Sequence, residues 1–123
     1  MELRKTGIIL LALLLAAMAM VPMASAGTIT AVASGVNQGS WISYKGIGFD
    51  SVTDNNWHVW AEVYDPNGAF MCSADNSCSS STSCNTGWSN CYPYPSVHGY
   101  YTIKAYATAD GHGVASNSVN VYW

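Results

Sequence analysis

The chain has 123 residues, of which only four are basic and seven acidic, giving a formal net charge of −3. Residues 27–123 keep six of the acidic side chains and two lysines, and they contain no arginine. Because nucleic acids and anionic membrane surfaces are bound through basic patches, this composition excludes both as partners. A stretch of 97 residues is enough for one small domain.

The first 26 residues have the pattern of a secretory signal peptide. Arg4 and Lys5 form a short positive region, residues 7–21 are small or apolar, and residues 24–26 (ASA) form a cleavage site. The alternative is a retained membrane anchor, but a span needs roughly 20 apolar residues, and this run is shorter. No second apolar run follows. The sequence therefore predicts a mature chain without a membrane span, secreted or held at the cell surface.

The remainder of the chain is rich in short stretches of Val, Ile, Thr, Tyr and Trp, separated by Gly, Asn and Asp, which is typical of β-structure. In chain order, we predict strands at residues 28–34, 40–49, 57–64, 69–72, 99–108 and 114–123. The third predicted strand, residues 57–64, shows the clearest alternation of inward and outward side chains. Its inward residues are Trp57, Val59, Ala61 and Val63, and its outward residues are His58, Trp60, Glu62 and Tyr64. Six or seven strands in this length predict a two-layer antiparallel sandwich.

The first predicted strand has two possible partners. Residues 28–36 are uncharged and β-prone. They could pair within their own domain, or they could be donated to the open sheet edge of a neighbouring copy.

All four cysteines lie within residues 72–91, in a stretch that otherwise consists mainly of Ser, Asn, Thr and Gly. An even number in an exported chain predicts two disulfides, and the spacing C-x5-C-x5-C-x6-C is wide for a zinc knuckle. A metal site and free thiols are the alternatives. Three pairings are open, and we prefer Cys72–Cys91 with Cys78–Cys84 nested inside. We interpret residues 72–91 as a disulfide-linked insertion loop.

Two segments resemble a known class of module. "WAEVYDPNG" followed by "GYYTIKAYATADGHGVASNSVNVYW" resembles the last half of the immunoglobulin-like modules found on bacterial and archaeal surface proteins. The resemblance implies an immunoglobulin-like sandwich at residues 27–123, a buried tryptophan at Trp57, and a tyrosine corner at Tyr100 or Tyr101. No cysteine falls on the second or sixth predicted strand, so the inter-sheet disulfide of antibody domains is absent.

Catalytic motifs are missing from the sequence. There is no G-x-S-x-G, H-E-x-x-H or glycine-rich phosphate loop. Glu62 could belong to a glycosidase pair, but its place in the strand favours a solvated carboxylate. We therefore predict that the chain is not an enzyme and needs no cofactor.

A weak metal candidate lies in the loop at residues 50–56. Asp50 and Asp54 offer oxygen ligands to a cation such as calcium, although Asp and Asn also favour turns for local reasons. His58, His98 and His112 fall on separate elements, and we predict that they lie on the surface.

Aromatic residues are the unusual feature of the composition. All 15 lie after the signal segment, and a core of this size can bury about half of them. The aromatic residues predicted to form a ligand site or interface are Trp60, Tyr64, Trp88, Tyr92 and Tyr94. They could contact copies of the same protein or other surface components, or they could stack on glycans. The low charge favours the first interpretation, a structural or adhesive cell-surface protein that can assemble into a filament or surface layer. The alternative is a carbohydrate-binding module.

Overall fold

The computed structural model describes residues 28–123, which form eight β-strands and no helix. The strands are β1 (Thr30–Asn37), β2 (Ile42–Asp54), β3 (Trp57–Tyr64), β4 (Phe70–Cys78), β5 (Ser81–Asn85), β6 (Ser89–Cys91), β7 (Tyr100–Ala109) and β8 (Ala115–Tyr122). The predicted signal peptide lies outside the described residues. Within the described part, no helix has the length and apolar character needed to cross a bilayer.

The strands form two antiparallel sheets packed face to face, so the predicted β-sandwich is confirmed. One sheet has the order β1–β2–β5, with the short β6 also pairing with β2, and the other has the order β4–β3–β7–β8. The first two strands therefore share a sheet with β5, while β3 pairs with β7 and β7 with β8.

Strict alternation places β3 and β7 at the centre of the core. Trp57, Val59, Ala61 and Val63 are all buried, as predicted, and so are their inward-facing neighbours on β7. The indole nitrogen of Trp57 donates to the carbonyl of Ser81 at 2.7 Å, so its one polar atom is satisfied inside the sandwich. The core thus follows directly from a period of two in the sequence.

Tyr101 forms the tyrosine corner. It is fully buried at the start of β7, and its hydroxyl donates to the carbonyl of Val97 at 2.7 Å. Tyr100, the other candidate, points outward and is exposed. The bond ties the connection that leads into β7 to the strand itself.

The cysteine-rich segment differs from the prediction in one respect. Both predicted disulfides are present, Cys72–Cys91 and Cys78–Cys84. However, residues 72–91 are not an irregular loop, because they contain most of β4 and all of β5 and β6. β4 pairs with β3 through backbone hydrogen bonds, which need no apolar side chains, so the predicted strand at residues 69–72 continues through a polar sequence to Cys78. Each disulfide joins the two sheets.

The opposite side of the sandwich is closed by hydrogen bonds. β1 pairs with β2 of its own chain over eight residues, the first of the two partners considered above. The amide of Ala33 donates to Asn117 Oδ1 at 3.0 Å, and Asn37 Nδ2 donates to the carbonyl of Tyr122 at 2.9 Å. These bonds satisfy polar groups along the meeting edges of β1 and β8.

Candidate functional site

Exposed aromatic side chains gather at one end of the sandwich. The β1–β2 turn, the β3–β4 turn, the segment between β6 and β7, and the C-terminal residues meet there. We call it the aromatic end and define it by five side chains that are 58–65% exposed: Phe70, Tyr92, Tyr94, Tyr100 and Tyr122. Phe70, Tyr100 and Tyr122 belong to strands of one sheet, and Tyr92 directly follows β6 of the other. Exposed apolar surface of this kind is a candidate contact site.

Backbone pairing fixes two of these rings. Gly99 and Trp123 exchange two hydrogen bonds at 3.0 and 2.9 Å, which hold the last residue against the start of β7. Tyr100 and Tyr122 are consequently direct cross-strand partners, and their rings meet edge to face at 5.2 Å. Such pairs are stable features of a sheet surface, so the two rings are held in place before any partner arrives.

The sequence "YPYP" at residues 92–95 presents the next two rings. Each proline fixes φ of its own residue and favours an extended residue before it. Pro93 is buried while Tyr92 and Tyr94 on either side are exposed. Tyr92 also leans on Trp41, with ring centroids 6.3 Å apart.

A groove of about 470 Å³ opens beside this segment. Its lining residues are Asn37, Gly39, Ser40, Pro93, Pro95, His98 and Trp123. The lining combines apolar rings with amide, hydroxyl and imidazole groups, a composition suited to a ligand or chain that is itself partly polar.

The five aromatic residues predicted as a site do not converge. Tyr92 and Tyr94 lie at the aromatic end. Trp60 and Tyr64 lie on the outer face of β3, and Tyr64, the last residue of that strand, reaches the aromatic end, where its ring centre lies 6.0 Å from that of Phe70. Trp88, 54% exposed, lies between β5 and β6, with Lys45 Nζ 4.6 Å from the centre of its ring.

Three residues of the aromatic end were not predicted: Phe70, Tyr100 and Tyr122. The alternation that places Tyr101 and Val121 inward also places Tyr100 and Tyr122 outward, so the signal for those two was present in the sequence. The position of Phe70 has no comparable signal, because it depends on the pairing of β4 with β3.

The outer face of β3 is a packed aromatic row. Trp60 stacks on Tyr106 at 5.1 Å and on His58 at 4.9 Å, with interplanar angles of 14° and 26°. These contacts occupy ring surface that a sugar would need for stacking.

Tyr64, on the same face, donates a hydrogen bond to Glu62, and this bond, with burial, raises the pKa of Tyr64 to about 12. This face is therefore occupied mainly by its own contacts.

The end of the sandwich opposite the aromatic end carries buried acids. Asp50 continues the inward row of β2, and Asp54 is the last residue of that strand. His112, in the β7–β8 turn, brings its Nε2 to 3.5 Å from Asp54 Oδ1 and 3.9 Å from Asp50 Oδ2. We call these three residues the carboxylate cluster.

The two carboxyl groups differ in ionisation. Burial raises the pKa of Asp54, and the hydrogen bond and negative charge of Asp50 raise it further. Burial also acts on Asp50, but a hydrogen bond from Asp54 and others from the amides of Val52 and Ser51 bring the pKa of Asp50 below its usual value. The structure thus joins the two predicted calcium candidates and adds a histidine that the sequence placed on a separate element.

The other two histidines lie elsewhere. His58 is on the outer face of β3, 3.3 Å from Asp75 Oδ2, and both side chains are largely exposed. His98 is exposed beside the groove at the aromatic end. Within residues 28–123, the side chains that lie close enough together to hold a metal ion are the three of the carboxylate cluster.

The fold places this chain among antiparallel β-sandwiches. Comparison with models of known protein families and with curated protein sequences finds no match. Because one such fold serves many functions, the two ends of the molecule carry the functional interpretation.

Proposed function

We propose that this chain is a secreted cell-surface protein with a structural or adhesive role, and that its copies associate through the aromatic end. The observation that carries the proposal is the gathering of five exposed aromatic side chains on a chain with few charges. Aromatic residues are enriched in protein interfaces, whereas Lys, Glu and Asp are depleted.

Two features support export. Residues 1–26 have the charge, apolar run and cleavage site of a signal peptide. All four cysteines form disulfides, which persist in oxidising compartments and are rare in reducing ones.

The links between the two sheets suit a protein exposed outside the cell. Disulfides join the sheets along one side, and side-chain hydrogen bonds join them along the other. The buried Trp57, the tyrosine corner at Tyr101 and the turn at residues 65–68 also support the resemblance to modules of prokaryotic surface proteins. These features resist local opening of a small domain.

The available area sets the strength of one contact. An aromatic side chain buries about 200 Å², so a contact that covered all five, each roughly three-fifths exposed, would bury at most about 600 Å² per copy. Two copies would bury about 1,200 Å², the lower limit for a stable interface. One contact is therefore weak, and assembly requires a high local concentration or repetition along a polymer.

Symmetry distinguishes the possible assemblies. If the aromatic end meets the same end of a second copy, the contact closes into a dimer. If it meets a different surface, the contact repeats head to tail and gives a ring when the rotation closes and a filament when it does not. Because β1 is paired within its own domain, neither contact requires exchange of a strand.

Glycan binding is the second candidate, and the groove beside Tyr92 and Tyr94 favours it. The groove places apolar rings next to Asn37, Ser40 and His98, which can hydrogen-bond sugar hydroxyls. In this case the aromatic end holds a polysaccharide instead of a second copy.

One experiment separates the two candidates. Residues 27–123, oxidatively folded, are examined by sedimentation velocity over a concentration series and by electron microscopy, with and without soluble polysaccharides. We expect concentration-dependent association without added glycan. A chain that stays monomeric alone but sediments with a polysaccharide would replace the proposal with glycan binding, and a chain that does neither would contradict both.

A further inference from the structure

Two buried oxygens of the carboxylate cluster receive no hydrogen bond from any group outside the two aspartates. Asp50 Oδ2 and Asp54 Oδ2 are both fully inaccessible, and the two side chains are 0% and 4% exposed. An unpaired polar atom in this position is costly, and a charged one more so. His112 does not satisfy Asp50 Oδ2 by a hydrogen bond, because its Nε2 lies 3.9 Å away. A cation bound beside His112 Nε2 would satisfy Asp50 Oδ2 directly, and its ligand from Asp54 would be Oδ1, the oxygen that faces the histidine.

Neighbouring groups orient the acids toward a common point. Asp50 uses its other oxygen, Oδ1, to accept from the amide of Val52 at 3.3 Å and the hydroxyl of Ser51 at 3.4 Å. Its Oδ2 is thereby left to face Asp54 and His112, and one ligand atom from each residue lies within 4.8 Å of the others. Ligands held in this way by surrounding hydrogen bonds are a mark of a preorganised metal site.

Asp110 holds the histidine in position without joining the cluster. Its carboxylate accepts from the amides of Asn55 and Asn56 at 2.6 and 3.0 Å. The β7–β8 turn is therefore anchored to the β2–β3 turn. His112, two residues after Asp110, therefore lies beside the C-terminal end of β2. Its backbone amide donates to the carbonyl of Ala109.

We propose that Asp50, Asp54 and His112 bind a divalent transition-metal ion of the zinc type, through one oxygen of each aspartate and Nε2 of the histidine. Zinc takes nitrogen and oxygen ligands at about 2.0–2.1 Å, which puts two tetrahedral ligands about 3.4 Å apart. The separations of 3.5 and 3.9 Å from Nε2 require only small side-chain movements to match this.

The ligand types decide against calcium. Calcium takes six to eight oxygen ligands, and the cluster offers an imidazole nitrogen and two buried carboxylates. His112 is 26% exposed, so the fourth position of a tetrahedral ion can be filled by water from the solvent side. The ion would join the end of β2, in one sheet, to the turn after β7, in the other.

Zinc titration of metal-free residues 27–123 tests the site. We expect one zinc per chain by isothermal titration calorimetry, and a melting temperature that rises with zinc and saturates. Calcium at the same concentrations should give neither effect. Asp54→Asn and His112→Gln should each lower zinc affinity at least tenfold, since each removes one of three ligands.

The exposed His58–Asp75 pair supplies the control. His58→Gln removes a histidine beside a carboxylate on the surface and should leave zinc binding unchanged. His112 is partly exposed, so His112→Gln should fold, which circular dichroism without metal checks. The proposal is overturned if the wild-type chain takes up no zinc at millimolar concentration, if His112→Gln binds as well as wild type, or if calcium binds in preference.

Discussion

Gly48 shows how a single missing side chain makes room for the largest one in the core. It lies on the inward row of β2, facing the ring of Trp57 in the other sheet. A Cβ at this position would lie 2.7 Å from the Trp57 ring and 2.8 Å from the Cβ of Ala107. The glycines of the second predicted strand thus serve close packing between sheets, one of the two roles that a glycine in a strand indicates.

Gly48→Ala should therefore destabilise the domain. Neither the Trp57 ring nor Ala107 can move without displacing other core atoms, so we expect a loss of about 1–3 kcal/mol in the free energy of unfolding. Gly113→Ala is the control, because a Cβ there meets nothing within 4 Å, and its effect should stay within about 0.5 kcal/mol. Chemical denaturation measures both. Equal effects would show that the sheets do not approach closely at Gly48.

Tyr64 should lose its phenol proton at a higher pH than an ordinary tyrosine. Its hydrogen bond to Glu62 raises its pKa from 10.0 to about 12, so the phenol stays protonated in the folded chain after it would ionise in the unfolded one. The stabilising contribution is complete below pH 10 and is lost as the pH rises toward 12. In an ultraviolet titration of tyrosinate, Tyr64→Phe should remove one late-ionising group, and Glu62→Gln should move that group to lower pH. Burial also raises the pKa of Tyr44 and of Tyr101, so other late-ionising groups will remain. The assignment is contradicted if Tyr64→Phe has as many late-ionising groups as wild type.

At the scale of elements, the two disulfides differ in the length of chain they close. Cys72–Cys91 spans a sequence separation of 19 and Cys78–Cys84 one of 6. In the chain-entropy model, these loops correspond to about 3 and about 2 kcal/mol of stabilisation. Both bonds join β4 to the opposite sheet, so each replaces contacts that the polar side chains of this region do not supply.

Removing the disulfide that closes the longer loop should lower the stability of the domain more. We expect Cys72→Ala with Cys91→Ala to lower the free energy of unfolding by about 3 kcal/mol, and Cys78→Ala with Cys84→Ala by about 2 kcal/mol. Denaturant midpoints of the oxidised variants measure the order. If the 78–84 pair proves the more important, local geometry outweighs loop closure in this protein.

The strands differ in how far the sequence reveals them. β3 and β7 could be predicted with their inward residues because one face is apolar and the period is two. Only the start of β4 could be predicted, within residues 69–72, and β5 and β6 could not, since most side chains of these segments are polar and their pairing rests on backbone hydrogen bonds and disulfides. The meeting of His112 with Asp50 was equally hidden, because it depends on how two turns far apart in sequence are packed together.

At the scale of the whole molecule, the two ends of the sandwich differ in chemistry. One end exposes Tyr and Phe rings, and the other buries two aspartates beneath a histidine. Disulfides and hydrogen bonds join the sheets along the sides between the ends. In the proposed function, the aromatic end is the surface that contacts another copy.

The central claim is association through the aromatic end, and sedimentation velocity of matched variants tests it most directly. Tyr92→Ser with Tyr94→Ser removes two exposed rings from that end, whereas Val52→Ser with Val114→Ser removes two exposed apolar side chains elsewhere. We predict that wild type and the valine variant sediment faster as concentration rises, while the tyrosine variant stays monomeric. A wild-type chain that remains monomeric, or a tyrosine variant that associates as strongly as wild type, would contradict the claim.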